Sequence, residues 1–281
     1  MTTAVFVAML ASALLHASWN AWVKARPDPY GALVVLGVAA AWPNVLLLAW
    51  AGLPDHAAWG WVALTVALSV PAQALLGRAY HEGDFAVAYP IVRGMNPLVI
   101  ALAAIPLFGE QLAPLGFAGV AGISFGIALL GWEAARRSRT ISARGVAFAA
   151  LSALVTAGAA LTDTLGARAA NAPFSYGPLI AIGNAVAMAA YQSHRIHVGR
   201  TIAAHWQLAL FGPLLSTASY QLAMWSIVRA PAGLVISLRE TSMLFAVAIG
   251  ALFLSERVGA WRWVAVCVVF AGVIAIRLAS T

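Results

Sequence analysis

Charged residues are scarce in this chain, and their scarcity limits the class of protein it can be. They make up 9% of its 281 residues, whereas a soluble domain carries about 25%. So few charges cannot cover a surface in contact with water, which excludes a soluble globular protein. Cysteine is nearly absent as well. Cys267 is the one copy, so the chain forms no internal disulfide and no cysteine-based metal cluster.

Motifs for nucleotides, metals and catalysis are also lacking. The chain has no P-loop, no H-E-x-x-H pair and no G-x-G-x-x-G in a usable context, so we predict no cofactor, no bound metal and no ATP-driven pump. Residues 122–126 match the G-x-S-x-G pattern of serine hydrolases. That pattern requires a strand–turn–helix elbow, but here it lies in a glycine-rich apolar run, where close helix packing explains it better. We therefore predict that the chain is not an enzyme.

Long hydrophobic runs take the place of the missing charge. Hydrophobic residues make up 63% of the chain, and a membrane span needs roughly 20 apolar residues. Ten such runs, joined by short connections, occupy residues 4–24, 31–52, 57–78, 85–108, 113–132, 143–166, 174–193, 202–226, 230–254 and 259–278. The first run lacks the basic start of a signal peptide, so we expect a retained helix. The sequence predicts an all-α membrane protein with ten transmembrane helices.

The chain repeats itself after 146 residues, because a shift of that size places Arg93 on Arg239 and Glu110 on Glu256 without a gap. Other coincidences are Pro27 with Pro173, Tyr30 with Tyr176, Gly31 with Gly177, Leu98 with Leu244 and Gly126 with Gly272. We interpret residues 1–135 and 136–281 as homologous halves of five spans each. Because five is odd, the halves must be inverted in the membrane. Inverted repeats are typical of secondary transporters, with the substrate site between the halves near the midplane.

Lysine and arginine indicate the orientation of the chain in the membrane. Eleven follow odd-numbered spans and three lie on the opposite side. The eleven are Lys24, Arg26, Arg78, Arg136, Arg137, Arg139, Arg144, Arg195, Arg200, Arg257 and Arg262, and the three are Arg168, Arg229 and Arg277. The positive-inside rule then places the odd-numbered loops in the cytoplasm and both termini outside. Topology and anionic headgroups account for the net charge of +7, so we expect membrane lipid, and no nucleic acid, as a partner.

Several short motifs resemble those of EamA-type members of the drug/metabolite transporter superfamily. They are H-A-S-W-N-A at 16–21, A-Y-P-I-V-R-G at 88–94, and the glycine–glutamate signature after the fourth and ninth spans, with Ser255 in place of the second glycine. The resemblance covers the whole chain and implies a ten-helix secondary transporter of the inner membrane. It implies an exporter of amino acids, with the aromatic amino-acid exporters as one branch, or of other drugs and metabolites.

Four charged residues fall well inside predicted spans: Arg93, Asp163, Arg239 and Glu240. Charge in hydrocarbon is costly, so a charge within a span indicates function by default. A guanidinium can bind a carboxylate through two hydrogen bonds, and we predict that Arg93 or Arg239 contacts a carboxylate of the cargo. The alternative is that both arginines are structural. Asp163 and Glu240 are candidates for proton coupling or, alternatively, for fixed salt bridges.

Polar and aromatic residues recur at spacings of three and four on the faces of several spans, and in spans four and nine these faces include Arg93 and Arg239. We predict that they line a substrate site, with indole rings able to stack on an aromatic or cationic cargo. The predicted lining residues, besides the four charges, are His16, Trp19, Asn20, Gln73, Tyr80, His81, Tyr89, Asn96, Tyr220, Gln221, Trp225 and Ser242. The alternative for the small polar groups is hydrogen bonding between helices.

The connections between spans carry further polar residues. The stretch from Tyr80 to Asp84 could gate a cavity mouth, but we favour a solvated turn. For Glu110 and Glu256 we favour a structural role, either capping the following helix or pairing at an interface. Two competing classes stay open on the sequence alone, a passive channel and an intramembrane enzyme.

Overall fold

A computed structural model of the protein describes residues 1–82, 85–137, 142–170, 172–193, 197–253 and 259–280, and these residues form helices without a strand. The helices are α1 (Thr3–Lys24), α2 (Pro29–Ala39), α3 (Ala41–Ala51), α4 (Trp59–Glu82), α5 (Phe85–Phe108), α6 (Pro114–Arg137), α7 (Ala143–Ala169), α8 (Pro173–Gln192), α9 (Val198–Ala204), α10 (Trp206–Ile227), α11 (Ala232–Glu240), α12 (Ser242–Phe253) and α13 (Ala260–Leu278). The predicted all-α class is confirmed.

Helix starts follow local capping chemistry. Thr2, Asp28 and Ser142 each accept, through a side-chain oxygen, the backbone N–H of the residue three positions on. These bonds satisfy N–H groups that have no partner within the helix. The three capping residues directly precede α1, α2 and α7. These helices therefore begin within two residues of the predicted runs that start at 4, 31 and 143.

Three predicted spans consist of two helices rather than one. The run 31–52 divides at Ala40, the run 202–226 contains a break at His205, and the run 230–254 divides at Thr241. At the last break the N–H of Thr241 bonds the carbonyl of Leu238, one residue nearer than in a regular α-helix. Discontinuous helices at mid-membrane are typical of transporter binding sites. The break in the ninth span therefore draws attention to the residues just before it.

Eight helical stretches are long and apolar enough to cross a membrane. They are Thr3–Lys24, Tyr30–Ala51, His56–Glu82, Val87–Phe108, Pro114–Glu133, Ala143–Ala169, Ala232–Leu252 and Ala260–Leu278. The helices α8 and α10 are of similar length, 20 and 22 residues, but Pro, Asn, Gln, Ser and Thr lower their hydropathy. Eight of the ten predicted spans thus meet the criterion, and a count of ten crossings stays a prediction.

Most contacts between the two halves of the chain have a counterpart under the repeat shift. That shift relates α6 to α13, α5 to α11 and α12, and α2 and α3 to α8, and α6 packs against α13, α5 against α11, and α2 and α3 against α8. The contact of α4 with α7 has its counterpart in the contact of α1 with α10, and that of α5 with α7 in the contact of α1 with α11 and α12. The extensive contact of α5 with α6, within the first half, has no equally extensive counterpart between α12 and α13 in the described residues. Exchanging the halves therefore preserves most contacts between them but not every contact within a half.

Equivalent helices run in opposite directions. Along α6 and α13, a Cβ on Gly116 would lie 3.5 Å from the Cβ of Ala279, and one on Gly126 would lie 3.1 Å from the carbonyl oxygen of Ala265. Residue numbers thus rise along one helix as they fall along the other. The same order holds where α5 meets α11, because Arg93 bonds Glu240 while Ala101 lies against Gly233.

The closest approach of backbones lies between α6 and α13. A Cβ added at Gly119 would lie 2.7 Å from the carbonyl oxygen of Gly272, and a Cβ added at Gly272 would lie 2.7 Å from the carbonyl oxygen of Gly119. Small residues allow helices in lipid to pack through their backbones. This reciprocal contact explains the glycine-rich run that includes the G-x-S-x-G match, because those glycines are packing positions on a helix.

We expect Gly119→Ala to destabilise the protein, because its methyl group would meet a backbone carbonyl that cannot move aside as a flexible side chain would. Overpacking of this kind typically costs about 1–3 kcal/mol. The measurement is the midpoint of thermal unfolding in detergent. Gly77→Ala is the matched control, since a Cβ at Gly77 meets nothing within 4 Å. Equal midpoints for the two variants would contradict the packing described.

Candidate functional site

Polar and charged residues of three helices meet around Arg93 of α5. Its Nη1 donates to both carboxylate oxygens of Glu240 in α11, each at 3.0 Å. Its Nη2 lies 2.7 Å from Nε2 of His16 in α1, and its Nε donates to the hydroxyl of Tyr89 at 3.0 Å. Every nitrogen of this guanidinium therefore has a partner, and those partners belong to both halves of the chain.

Glu240 is the buried member of its pair with Arg93. Its side chain is 3% exposed, against 19% for the side chain of Arg93. It lies directly before the helix break at Thr241. A carboxylate so deeply buried is stable only when it is paired and hydrogen-bonded, and Arg93 supplies both. This arrangement is the fixed salt bridge that the sequence allowed as an alternative for Glu240.

Arg239, the equivalent of Arg93 in the second half, has different surroundings. Within the described part of the chain its guanidinium donates no hydrogen bond, and its Nε is buried without a partner. Its Cζ lies 5.8 Å from the ring centroid of Tyr220 in α10, at the range of a cation–π contact. The charges of Arg93, Glu240 and Asp163 also act on it. The repeat thus supplies one arginine whose charge is paired with a carboxylate and one whose charge is not, among the described residues.

Asp163 of α7 lies on the other side of Tyr220. Its Oδ2 accepts a hydrogen bond of 2.8 Å from the hydroxyl of Tyr220. Its Oδ1 is buried and has no hydrogen-bond partner among the described residues. The hydroxyls of Thr65 and Thr162 lie next to it on α4 and α7, bonded to each other at 2.8 Å. Tyr220 therefore separates a cation and an anion that do not bond each other.

Unsatisfied polar atoms are frequent in this part of the protein. Buried polar groups in native proteins nearly always have a partner, which can be water or a ligand. Buried atoms without a hydrogen-bond partner in the described residues include His16 Nδ1, Trp19 Nε1, Asn96 Oδ1, Asp163 Oδ1, Gln221 Oε1, Gln221 Nε2 and Arg239 Nε. All of these residues were predicted to line the site. The ring of His16 also packs edge-on against Trp19, with centroids 4.8 Å apart.

The remaining predicted residues divide into near and distant ones. Tyr80 lies close enough to Tyr89 and Arg93 for their charges to act on it, and Ser242 is buried just after the helix break. The side chain of Asn20 donates to the carbonyl of His16, which makes it a local helix contact.

Gln73, His81 and Trp225 make no contact with Arg93, Arg239 or Asp163 that the described part of the structure shows. Gln73 and His81 are exposed, and Gln73 lines a small cleft together with Asn184 of α8. Trp225 is half-buried under Arg229, whose Cζ lies 4.5 Å from its ring. Of the junction after the third span, Gly83 and Asp84 lie outside the described residues, as do Ser255 and Glu256.

Three residues next to Asp163 were not predicted from the sequence. They are Thr65, Thr162 and Tyr176, which donates to the carbonyl of Thr162 and is fully buried. Nothing in the sequence marked the two threonines as site residues, because hydroxyl groups are common in membrane helices. Tyr176 did give one, since it coincides with Tyr30 under the repeat shift.

Glu110, after α5, ties together one end of the helix bundle. Its Oε1 accepts a hydrogen bond of 2.6 Å from Nη2 of Arg168 in α7, and its Oε2 accepts the N–H of Ala232, the first residue of α11, at 2.8 Å. Arg168 also donates to the carbonyls of Ile227 and Ala230. We call these bonds of Glu110, Arg168 and Ala232 the end clamp. The pairing with Arg168 is the interface role that we favoured as one alternative for Glu110, whereas the helix it caps is α11 and not the following helix, α6.

Comparison with known proteins identifies the second half of the chain. Residues 143–278 match the EamA-like transporter family, which confirms the resemblance seen in the sequence motifs. No curated protein matches the chain. A protein of known crystal structure is similar over its whole length, with a TM-score of 0.75, 15% identity, and coverage of 99% of this chain and 98% of that one. At that identity the similarity shows the fold alone.

We expect Glu240→Leu to destabilise the protein strongly, because it leaves the Arg93 charge without its counterion. Removing one partner of a buried pair typically costs about 3–5 kcal/mol, whereas replacing both by apolar residues is often neutral. The double variant Arg93→Met/Glu240→Leu should therefore unfold at a higher temperature than Glu240→Leu alone. Thermal unfolding in detergent measures this, with Glu82→Gln at an exposed position as the control. A double variant that is less stable than the single one would contradict the pairing.

Proposed function

Because residues 143–278 form a domain of the EamA-like transporter family, we propose that the protein is a secondary transporter of small metabolites that carry a carboxylate. Amino acids are the first candidates, and the direction is export across the inner membrane. The site lies between the two halves, where α1, α5, α7, α10 and α11 bring their polar residues together. The transporter function of the family supports this over an intramembrane enzyme.

The observation that carries the proposal is the contrast between the two arginines. Arg93 has a partner for each nitrogen and its charge is paired with Glu240, so a further anion would compete with that carboxylate. Arg239 keeps an unsatisfied buried Nε and no carboxylate in direct contact among the described residues. A guanidinium binds a carboxylate through two parallel hydrogen bonds. We therefore assign the carboxylate of the cargo to Arg239 and a structural role to Arg93.

Two aromatic side chains, one beside Arg239 and one beside His16, favour an aromatic amino acid as cargo. Tyr220 packs under the guanidinium, and Trp19 lies on α1 with a buried indole N–H that has no described partner. Aromatic pairs contribute about 0.5–1.5 kcal/mol beyond the area they bury. A cargo that places its carboxylate on Arg239 and its ring among these side chains would use both groups.

Alternating access is the mode of transport that the helix arrangement supports. We propose ten crossing helices in two inverted repeats, residues 1–135 and 136–281. The antiparallel contacts of equivalent helices support this arrangement. Two such halves can rock against each other about a site on their shared axis. A passive channel would gain nothing from this symmetry.

The end clamp would have to open during such a cycle. It lies after even-numbered spans, where the positive-inside rule indicates the outer face, and it joins α5 and α11 of different halves. We propose that it closes the outer end while the site faces the cytoplasm. Breaking the bond between Glu110 and Arg168 is then part of the step toward release.

We expect counterflow of radiolabelled phenylalanine into proteoliposomes preloaded with unlabelled phenylalanine, measured against protein-free vesicles. Arg239→Gln should lower its rate at least tenfold, because a charged hydrogen bond contributes about 1.5–3 kcal/mol. Arg229→Gln is the control, since Arg229 is exposed and bonds a backbone carbonyl. Leucine in place of phenylalanine tests the preference for rings. Absence of counterflow with both amino acids, or equal rates in the two arginine variants, would contradict the proposal.

The role of the end clamp has its own test, based on Val235→Cys in a Cys267→Ser background. Val235 is fully buried one turn before Arg239 on α11, so a water-soluble maleimide should label it slowly. Adding Glu110→Gln removes the charge from the clamp, and we expect labelling to become several-fold faster as the outer end opens more often. Glu82→Gln serves as the control. An unchanged labelling rate in the Glu110 variant would rule out the gating role.

A further inference from the structure

We propose that Asp163 is the second pole of the site and binds the ammonium group of the cargo, so that the protein selects zwitterions over carboxylates without an amino group. The inference rests on the proposed function, because it takes Arg239 as the receptor of the carboxylate. It assigns to Asp163 a role in specificity, in place of the proton-coupling role or the salt bridge that the sequence left open.

The geometry of Tyr220 brings the two poles together. Its ring lies under the Arg239 guanidinium, with 5.8 Å between Cζ and the ring centroid. Its hydroxyl lies 2.8 Å from Oδ2 of Asp163. Tyr220 therefore contacts both charged groups, one through its ring and the other through its hydroxyl. An α-amino acid carries its ammonium and carboxylate groups on one carbon atom, so a ligand bound beside Tyr220 would present one charged group to each of them.

The hydrogen bonds of Asp163 leave one oxygen for a ligand. Tyr220 occupies Oδ2, while Oδ1 is buried and accepts no hydrogen bond from a described residue. The neighbouring hydroxyls of Thr65 and Thr162 bond each other. A carboxylate only accepts hydrogen bonds, and an ammonium group only donates them. An ammonium donor is therefore the chemical complement of Oδ1.

The balance of charge in the cluster points to the same ligand. Both carboxylate oxygens of Glu240 accept hydrogen bonds from Arg93, so the charges of this pair neutralise each other. Arg239 and Asp163 remain as a cation and an anion without a direct bond, and leaving a buried charge unpaired is costly. A monocarboxylate would pair Arg239 but leave Asp163 unpaired, and an amine would do the reverse. A zwitterion pairs both and leaves the net charge of the site unchanged.

The test compares ligands that differ by one charged group. Phenylalanine, 3-phenylpropanoate and phenethylamine, with leucine and 4-methylpentanoate as an aliphatic pair, are titrated into the full-length purified protein, and binding is measured calorimetrically. We expect the native protein to bind each amino acid at least tenfold more tightly than its deaminated counterpart. Asp163→Asn keeps an oxygen that accepts from Tyr220 but loses the charge. It should lose that preference and keep its affinity for the carboxylates within about twofold, because it removes the charged bond to the ammonium group and leaves the contact with Arg239 in place.

The outcomes separate this inference from the proposed function. If Asp163→Asn weakens amino acids and deaminated acids equally, or retains the preference, the specificity role is wrong while the carboxylate site on Arg239 stands. If the native protein binds none of these ligands, the proposed function itself fails. The reciprocal variant Arg239→Gln covers the case in which Asp163→Asn does not fold. It should bind phenethylamine more tightly than 3-phenylpropanoate, and the opposite order would overturn the inference.

Discussion

The ion pair between Arg93 and Glu240 is the interaction on which the rest of the protein's centre depends. Hydrocarbon does not solvate charge, so a charged residue within a span needs a counter-charge from another helix. Here the counter-charge comes from the other half of the chain, and the pair lies where equivalent helices cross in opposite directions. The same bond therefore neutralises a costly charge and joins the two repeats at their common axis.

Duplication gives each half an arginine at the same position, but one carboxylate cannot satisfy two guanidinium groups. Glu240 follows Arg239 in the chain and has no counterpart in the first half, where the equivalent residue is Gly94. Because Glu240 bonds the arginine of the opposite repeat, Arg239 is left with Tyr220 and, beyond it, Asp163. The absence of a carboxylate equivalent to Glu240 in the first half thus separates a structural arginine from one that is available to a ligand.

Much of the architecture could be predicted from the sequence. The length of the apolar runs predicted the helices, and the repeat shift predicted that Arg93 and Arg239 are equivalent. The breaks at Ala40 and Thr241 could not be predicted, because neither residue disfavours a helix strongly. The sequence also could not predict that Glu240 pairs with Arg93 and not with Arg239. That pairing depends on how each helix is rotated about its axis, and a helix that is apolar on all sides carries little signal of its buried face. The hydrogen bond between Tyr220 and Asp163 could not be predicted for the same reason.

The most direct test of this account is an experimental structure of the protein with bound phenylalanine. The account predicts the carboxylate of the ligand within hydrogen-bond distance of the Arg239 guanidinium, beside Tyr220, while the bonds between Arg93 and Glu240 stay intact. A ligand bound to Arg93 with Glu240 displaced, or one located on the lipid-facing side of the helices away from Arg239, would contradict it.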